Sequence, residues 1–279
     1  MRLGGPVFGD IDDPDGWVAA LKEHGYGAAY CPVRDVHDAD EVRPYAEVAE
    51  RAGVIIAEVL AFGNNPISQN EEKSRAGIAA CQKKLAVADE IGARCCVNVA
   101  GSRGDASAGP HADDLTSETF DLIVASLREI IDAVNPTRTF YALEMMPWMY
   151  PDSPGSYLEL VKAVDRKQFA VHLDPVNIVC SPQLYYANGD LIRECFKTLG
   201  PYIKSCHAKD ISLTNVLTVH LDEVRPGLGA LDYHTFLREL AKLDPDTSLM
   251  LEHLPDAEQY ALAADHVRSV AGETGVELR

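Results

Sequence analysis

Three features of this sequence predict an α/β fold of the (β/α)8, or TIM-barrel, type. Short apolar runs alternate with helical patterns along the whole chain, helical patterns end on glycine just before an apolar run, and four late apolar runs each end in a carboxylate or an imidazole. Strand, helix, strand, repeated with right-handed crossovers, closes into a barrel, and such barrels typically occupy about 250 residues around one core. The 279 residues, with no charge-rich or Pro/Ser-rich linker, are therefore read as a single domain, 1–279. An open doubly wound sheet is the runner-up, but no GxGxxG follows the first apolar run, which removes the usual sign of a dinucleotide fold.

The eight strand segments are 2–8, 28–32, 55–60, 95–99, 140–144, 170–174, 203–207 and 249–252. Gly25, Gly53, Gly92 and Gly200 are expected to end the intervening helices, because glycine takes the left-handed conformation after the last turn without a steric penalty. Asp13 before Pro14 and Ser153 before Pro154 place an oxygen acceptor at the cap and proline at the first helical position. Asp256 with Gln259 resembles a capping box. Phe120, Ile123, Val124, Leu127, Ile130, Ile131 and Val134 recur at helical steps, so this stripe packs on a sheet while Asp121, Arg128 and Asp132 face water.

Composition narrows the function. The formal net charge of −18 repels phosphate backbones and anionic membranes, so neither a nucleic-acid nor a membrane partner is expected. No apolar run approaches the roughly 18 residues that cross a bilayer, and the start MRLGGPVFGD lacks the order of a signal peptide, which points to a cytoplasmic protein. Seven cysteines without a CxxC pair suggest buried free thiols rather than disulfides or a zinc knuckle.

The informative residues are Glu144 in FYALEMMP, Asp174 in FAVHLDPVN, His207 in IKSCHAKDI and Glu252 in LMLEHL. In a parallel barrel the C-terminal strand ends build the active site. Alternation along each strand puts Glu144 with Ala142, Asp174 with His172, His207 with Ser205, and Glu252 with Met250, so the four side chains can converge. Three carboxylates and one imidazole meeting there would repel one another unless a divalent cation lay between them. An oxygen-rich donor set suits Mn2+ best, with Mg2+, Co2+ or Zn2+ as alternatives, and leaves positions for substrate.

The motifs ALEMMP, HLDPVN, CHAKDI, RPGLGALDYHTFLREL and LMLEH resemble those of the xylose isomerase-like barrels, which include ketose 3-epimerases, other sugar isomerases, inosose dehydratases and endonuclease IV. The resemblance covers nearly the whole chain. It implies that Glu144, Asp174, His207 and Glu252 bind one divalent ion, that Glu144 and Glu252 are the catalytic pair that moves protons, and that Arg225 of the RPG segment contacts substrate oxygens. Gly227 and Gly229 would turn the chain into a helix beginning near Asp232. It further implies a small carbohydrate substrate and a chain that can pair into a homo-oligomer. One departure stands out: Asn177 occupies a position where many of these enzymes have histidine. An amide can hold a substrate hydroxyl but cannot serve as an acid or base.

The chemistry this implies is proton abstraction beside a carbonyl through a metal-stabilised enediolate, giving isomerisation or epimerisation of a neutral sugar or oxo-sugar. Loss of a β-substituent after the same first step gives the alternative, a lyase or dehydratase acting on an oxo-sugar or 3-oxo-glycoside. Secondary candidates for substrate contact are His172, Lys209, Trp148, Asn98 and His111, with Glu58 beside them. His172 reads equally as a core histidine, Lys209 as a surface ion pair, and Trp148 as packing under its loop. The polar stretch GSRGDASAGPHADD is expected to form a flexible entrance loop that carries His111.

Overall fold

A computed structural model describes residues 1–9, 11 and 13–279. From the N-terminus the elements are β1 (Arg2–Gly4), α1 (Pro14–Glu23), β2 (Ala28–Tyr30), α2 (Arg43–Ala52), β3 (Ile55–Leu60), α3 (Glu71–Ile91), β4 (Cys95–Asn98), α4 (Ser117–Val134) and β5 (Phe140–Glu144). They continue as α5 (Pro154–Val164), β6 (Phe169–Leu173), α6 (Pro182–Tyr186), α7 (Asn188–Leu199), β7 (Ile203–Ala208), β8 (Asp210–Thr214), β9 (His220–Val224), α8 (Tyr233–Leu240), β10 (Ser248–Leu251) and α9 (Ala257–Thr274). Among the described residues, eight strands close a barrel in the order β1, β10, β7, β6, β5, β4, β3, β2, with every pairing parallel. This is the (β/α)8 fold.

Local chemistry sets most boundaries. The Asp13, Ser153 and Asp256 side chains accept from the free N–H groups of α1, α5 and α9, and Ser156 completes a capping box with Ser153. Gly25, Gly53 and Gly92 have φ of 64°, 71° and 71° and end their helices as expected. Gly200 does not: its φ is −42°, and it runs on into a 3-10 turn before β7. Asn135 and Asp165 take left-handed caps instead of glycine, with φ of 48° and 49°. The first strand is shorter than expected, and the insertion before Arg225 folds as an antiparallel hairpin of β8 and β9.

Two kinds of interior result. Between strands and helices lies the apolar core, where Leu21, Leu85, Ile130, Tyr157, Leu160 and Phe236 are fully buried. The α4 stripe contributes to it through Ile123, Leu127, Ile130 and Ile131. Inside the barrel a small floor of Ala28, Ala57 and Met250 is followed toward the mouth by buried polar groups, Glu58, His172 and Ser205. Gly4 belongs to that floor, where a side chain would meet Met250 Sδ at 2.7 Å.

The mouth is fastened by Asp210, only 2% exposed, at the start of β8. Its carboxylate accepts from the backbone N–H groups of Ile211 (2.8 Å), Gly227 (2.9 Å), Gly229 (3.0 Å) and Leu231 (2.9 Å), so one side chain folds the RPGLGAL turn. Gly227 has φ of 91°, where a side chain would be strained. Asp210→Ala is expected to destabilise the fold by about 3 kcal/mol or more, because each buried N–H left without an acceptor costs about 1–3 kcal/mol. Chemical denaturation measures this, and a loss under about 1 kcal/mol contradicts the clamp.

Candidate metal centre and active site

The barrel stagger brings the four polar strand-end residues to one level. Glu144 pairs with His172, His172 with Ser205, and Ser205 with Ser248 along one line of hydrogen-bonded strands. Asp174 lies two residues beyond His172, His207 two beyond Ser205, and Glu252 four beyond Ser248. These growing offsets are what a sheared barrel requires, since its strands tilt against the axis. Glu144 ends β5 and His207 lies within β7, while Asp174 and Glu252 stand one residue past β6 and β10.

His207 Nδ1 is 2.8 Å from Glu252 Oε1, 3.1 Å from Glu144 Oε1 and 3.8 Å from Asp174 Oδ2. One donor atom from each of the four lies within 4.8 Å of every other. Ligands around a single ion with bonds of ~2.0–2.2 Å stand about 3 to 4.5 Å apart, so the spacing suits one ion. Asp174 Oδ2 and Glu252 Oε1 are buried without a hydrogen-bond partner. The Lys209 ammonium stands 2.8 Å from the first and 2.7 Å from the second, close enough to pair but not aligned for hydrogen bonds. Orphaned carboxylate oxygens aimed at one another fit a divalent cation, and Glu144, Asp174, His207 and Glu252 are the residues that would hold it.

Charge is balanced unevenly across this cluster. Burial pushes the Glu144 carboxyl up, and the pull of His207 does not overcome it. Burial acts the same way on Glu252, but His207 and Lys209 outweigh it and hold that carboxyl below the usual range. Burial opposes a charge on His207, yet Glu252, Glu144 and Glu58 keep its proton well above the ordinary imidazole range. Lys209 is likewise held charged by Asp174, Glu252 and Glu144 against its burial.

Below the quartet, Glu58 faces the other edge of the same ring. His207 Nε2 is 3.5 Å from Glu58 Oε2, and Ser205 Oγ donates to Glu58 Oε1 while lying 2.8 Å from Ser248 Oγ. Burial and the neighbouring His207 push His172 down to about 4, so it is neutral at pH 7. Burial opposes ionisation of Glu58, but the two imidazoles beside it draw its pKa down, and His207 is the one that carries charge. A carboxylate on the far nitrogen of a metal-binding histidine fixes its tautomer and orientation. Glu58, His172 and His207 also have metal-like spacing, but this trio is fully buried and shares the same ring. Strict alternation from Ile55 would turn Glu58 outward. A bulge at Ala57, where the register shifts so that Tyr30 pairs with Glu58, turns it inward.

The other expected site residues divide into two groups. Asn177 and Lys209 join the quartet: Asn177 Nδ2 donates to Glu144 Oε1 at 3.0 Å, and its Oδ1 accepts from Lys209 Nζ at 3.2 Å. Lys209 is thus no surface residue. His172 stays in the barrel interior, its ring 4.1 Å from that of His207 and edge-on to it. Asn98 faces the helix layer, donating to Asn64 O at 3.3 Å beside Cys81, because alternation puts its inward-facing neighbour Val97 on the barrel side. His111 lines a surface hollow with Asn70 and Arg103. Trp148 donates to Ala108 O at 3.0 Å, and Arg225 Nη1 to Pro226 O at 3.2 Å. None of these last four is brought to the quartet. The entrance loop is tied down by the buried Asp114, which accepts from Ser102 Oγ at 2.8 Å and Arg103 N at 2.7 Å.

Two residues of the mouth had no sequence reading. Glu223 of β9 lies 3.4 Å from Lys209 Nζ and 3.1 Å from His253 Nδ1. Its hydrogen bond to Glu223, then burial, sets the His253 pKa, and the net direction is up. The only hint was the pair Glu252-His253 itself, and the strand that supplies Glu223, His220–Val224, carries no regular apolar alternation to announce it.

The family described as xylose isomerase-like TIM barrel matches residues 18–270, and the chain belongs to it. No curated protein sequence matches the chain. Among solved structures it is similar to the probable 3-DHS dehydratase AsbF, involved in petrobactin synthesis, from Bacillus anthracis, with TM-score 0.72 and 16% identity over 97% of this chain and 99% of that one. An L-ribulose 3-epimerase gives 0.71 and 14% over 98% and 94%. Endonuclease IV from Thermus thermophilus gives 0.71 and 14% over 98% and 100%. At such identities the likeness establishes the fold. The superfamily spans epimerases, dehydratases and endonucleases, and its members are mostly enzymes.

Two outcomes test the centre. An ion bound through His207 Nδ1 must displace the proton held there, so affinity falls as pH is lowered and binding near neutral pH releases about one proton. Calorimetric titration of Mn2+ in buffers of different ionisation enthalpy should show that release, and buffer-independent heat contradicts it. Glu58→Gln should weaken Mn2+ binding about 10- to 100-fold with the fold intact by circular dichroism. Unchanged affinity would remove Glu58 from the account.

Proposed function

We propose that the chain is a divalent-metal-dependent isomerase or epimerase that abstracts a proton beside the carbonyl of a sugar or oxo-sugar. The observation that carries this reading is the approach of Glu144 and Glu252 to one atom, His207 Nδ1, at 3.1 and 2.8 Å. They come from β5 and the end of β10, with β6 and β7 between them. A carbon beside the carbonyl that lies between two carboxylates can lose its proton to one, become planar and regain a proton from the other, which inverts it; if the proton goes instead to the former carbonyl carbon, while the neighbouring hydroxyl proton passes to the former carbonyl oxygen, the carbonyl moves.

The bound ion, with Mn2+ favoured and Mg2+, Co2+ or Zn2+ as alternatives, would supply positive charge beside the carbonyl oxygen, where negative charge develops. The protein does the rest. Glu144 and Glu252, both drawn to His207 Nδ1, are the two carboxylates positioned to take a proton and to return it. Lys209 presents its ammonium beside Asp174 and Asn177 Oδ1, positioned to hold a substrate oxygen, while the Asn177 amide, which donates to Glu144 Oε1 and Met145 O, holds Glu144 in place. Lys209, kept protonated, orients and does not act as a base.

The same ammonium favours a second reading. If the carbon next to the deprotonated one carries a leaving oxygen, the Lys209 ammonium can hydrogen-bond to it as it departs, and the reaction becomes that of a lyase or dehydratase. The net charge of −18 and the acidic mouth favour a small neutral substrate over nucleic acid.

Deuterium uptake from solvent into a panel of oxo-sugars and ketoses, read by mass spectrometry, detects the shared first step. Glu144→Gln and Glu252→Gln should each reduce uptake at least about 1,000-fold, within the range expected for a positioned acid or base supported by the metal site. Near-normal uptake in either variant contradicts the pair. Product analysis then assigns the class: epimer or isomer supports the first reading, and released aglycone or a dehydrated product the second.

A further inference from the structure

A cavity of about 600 Å³ opens beside the quartet, with His207 and Glu252 at its inner end. Its volume falls in the range of about 300–1,000 Å³ that accommodates drug-sized ligands. Its walls are mostly apolar and aromatic, including Trp17, Val33, Tyr45, Phe62 and the rings of Tyr30 and Tyr260. The Tyr30 hydroxyl already donates to Leu251 O at 3.3 Å, and that of Tyr260 accepts from Leu254 N at 3.3 Å. These two tyrosines therefore offer ring faces more than free hydroxyls. A bare sugar is covered with hydroxyls that each lose water on entry and need a partner, and these walls supply few.

The rim carries the same signal. Phe62 and Phe8 remain 38% and 41% exposed, and the Phe8 ring lies 5.6 Å from that of Tyr260. Uncovered aromatic side chains bordering a cavity mark a surface that an apolar ligand would cover. Apart from His207, which faces the carboxylates at the inner end, the basic side chains are Arg34, exposed at the outer edge, and His253, already paired with Glu223 at 3.1 Å, so no phosphate cradle is present among the described residues of this cavity.

We propose that this cavity receives a flat aromatic substituent, so that the substrate is a sugar carbonyl compound bearing an aryl group rather than a free monosaccharide. The proposal rests on the sugar-carbonyl reading above and extends it to the part of the molecule that does not react. Aromatic faces on several sides would grip the aryl group by offset and edge-to-face stacking, while the carbonyl end reaches Glu252 and His207.

Trp17 makes the proposal directly measurable. The chain has two tryptophans, so Trp148→Phe leaves Trp17 as the single fluorophore, set in the cavity wall. 4-Nitrophenyl β-D-glucopyranoside should quench it saturably, binding at least about tenfold more tightly than methyl β-D-glucopyranoside, a difference of ~1.4 kcal/mol. Phe62→Ala should weaken the aryl glucoside and leave the methyl glucoside unchanged. Calorimetry on the wild-type chain makes the same comparison without a reporter substitution. In a second arm, solvent deuterium uptake is followed for the 3-oxo derivatives of both glucosides, and KM should be at least about tenfold lower for the aryl compound. Aryl-selective binding without uptake in either compound supports the cavity assignment and overturns the proton-abstraction reading. Uptake with equal KM and no aryl-selective quench does the reverse, and absence of both overturns the cavity assignment as well.

Discussion

The organising constraint is the crowding of negative charge at the barrel mouth. Glu144, Asp174 and Glu252 bring carboxylates within a few ångströms of each other in a space nearly closed to water, where repulsion is poorly screened. The protein's own cations answer only in part. His207 and Lys209 are both drawn into the cluster, yet one oxygen each of Asp174 and Glu252 is left without a hydrogen bond. A compact divalent charge held by the quartet would resolve that deficit.

The surrounding fold serves this cluster in layers. The apolar shell between strands and helices leaves the barrel interior free to carry polar groups, and those groups are arranged by depth. Ser248, Ser205 and Glu58 run upward to the ring of His207, whose other edge joins the quartet. Asp210 stands one residue after Lys209 and folds the turn that follows the hairpin, so the backbone beside the site is fixed by a carboxylate with no part in the chemistry. The two acidic residues differ in what their oxygens meet: both oxygens of Asp210 take backbone N–H groups, whereas Asp174 gives Oδ1 to the N–H groups of Val176 and Asn177 and turns Oδ2 to charged side chains.

Much of this was legible in the sequence because it depends on short-range rules. Helix caps at Asp13, Ser153 and Asp256, left-handed glycines at Gly25, Gly53 and Gly92, and two-residue alternation at the strand ends are local, and they led to the barrel and to the convergence of the quartet. What escaped was nonlocal or broke a local rule. Gly200 sits where a 3-10 turn continues the chain, so it never needed its left-handed freedom. Glu58 turns inward only because the β3 bulge interrupts alternation. Asn98 looked like a mouth residue from its strand-end position, but parity with Val97 sends it outward. Lys209 carried the pattern of a surface lysine until four carboxylates, Glu144, Asp174, Glu223 and Glu252, surrounded it. Glu223 arrived on the second strand of a hairpin, HLDEV, which has no regular apolar alternation.

The central claim, that Glu144, Asp174, His207 and Glu252 jointly hold one divalent ion, is tested most directly by metal stoichiometry. Protein stripped with chelator, reloaded with Mn2+, desalted and measured by inductively coupled plasma mass spectrometry should retain one ion per chain, and an Asp174→Ala chain of unchanged circular dichroism should retain essentially none. Equal retention by the two chains, or none by the unaltered one, would contradict the account.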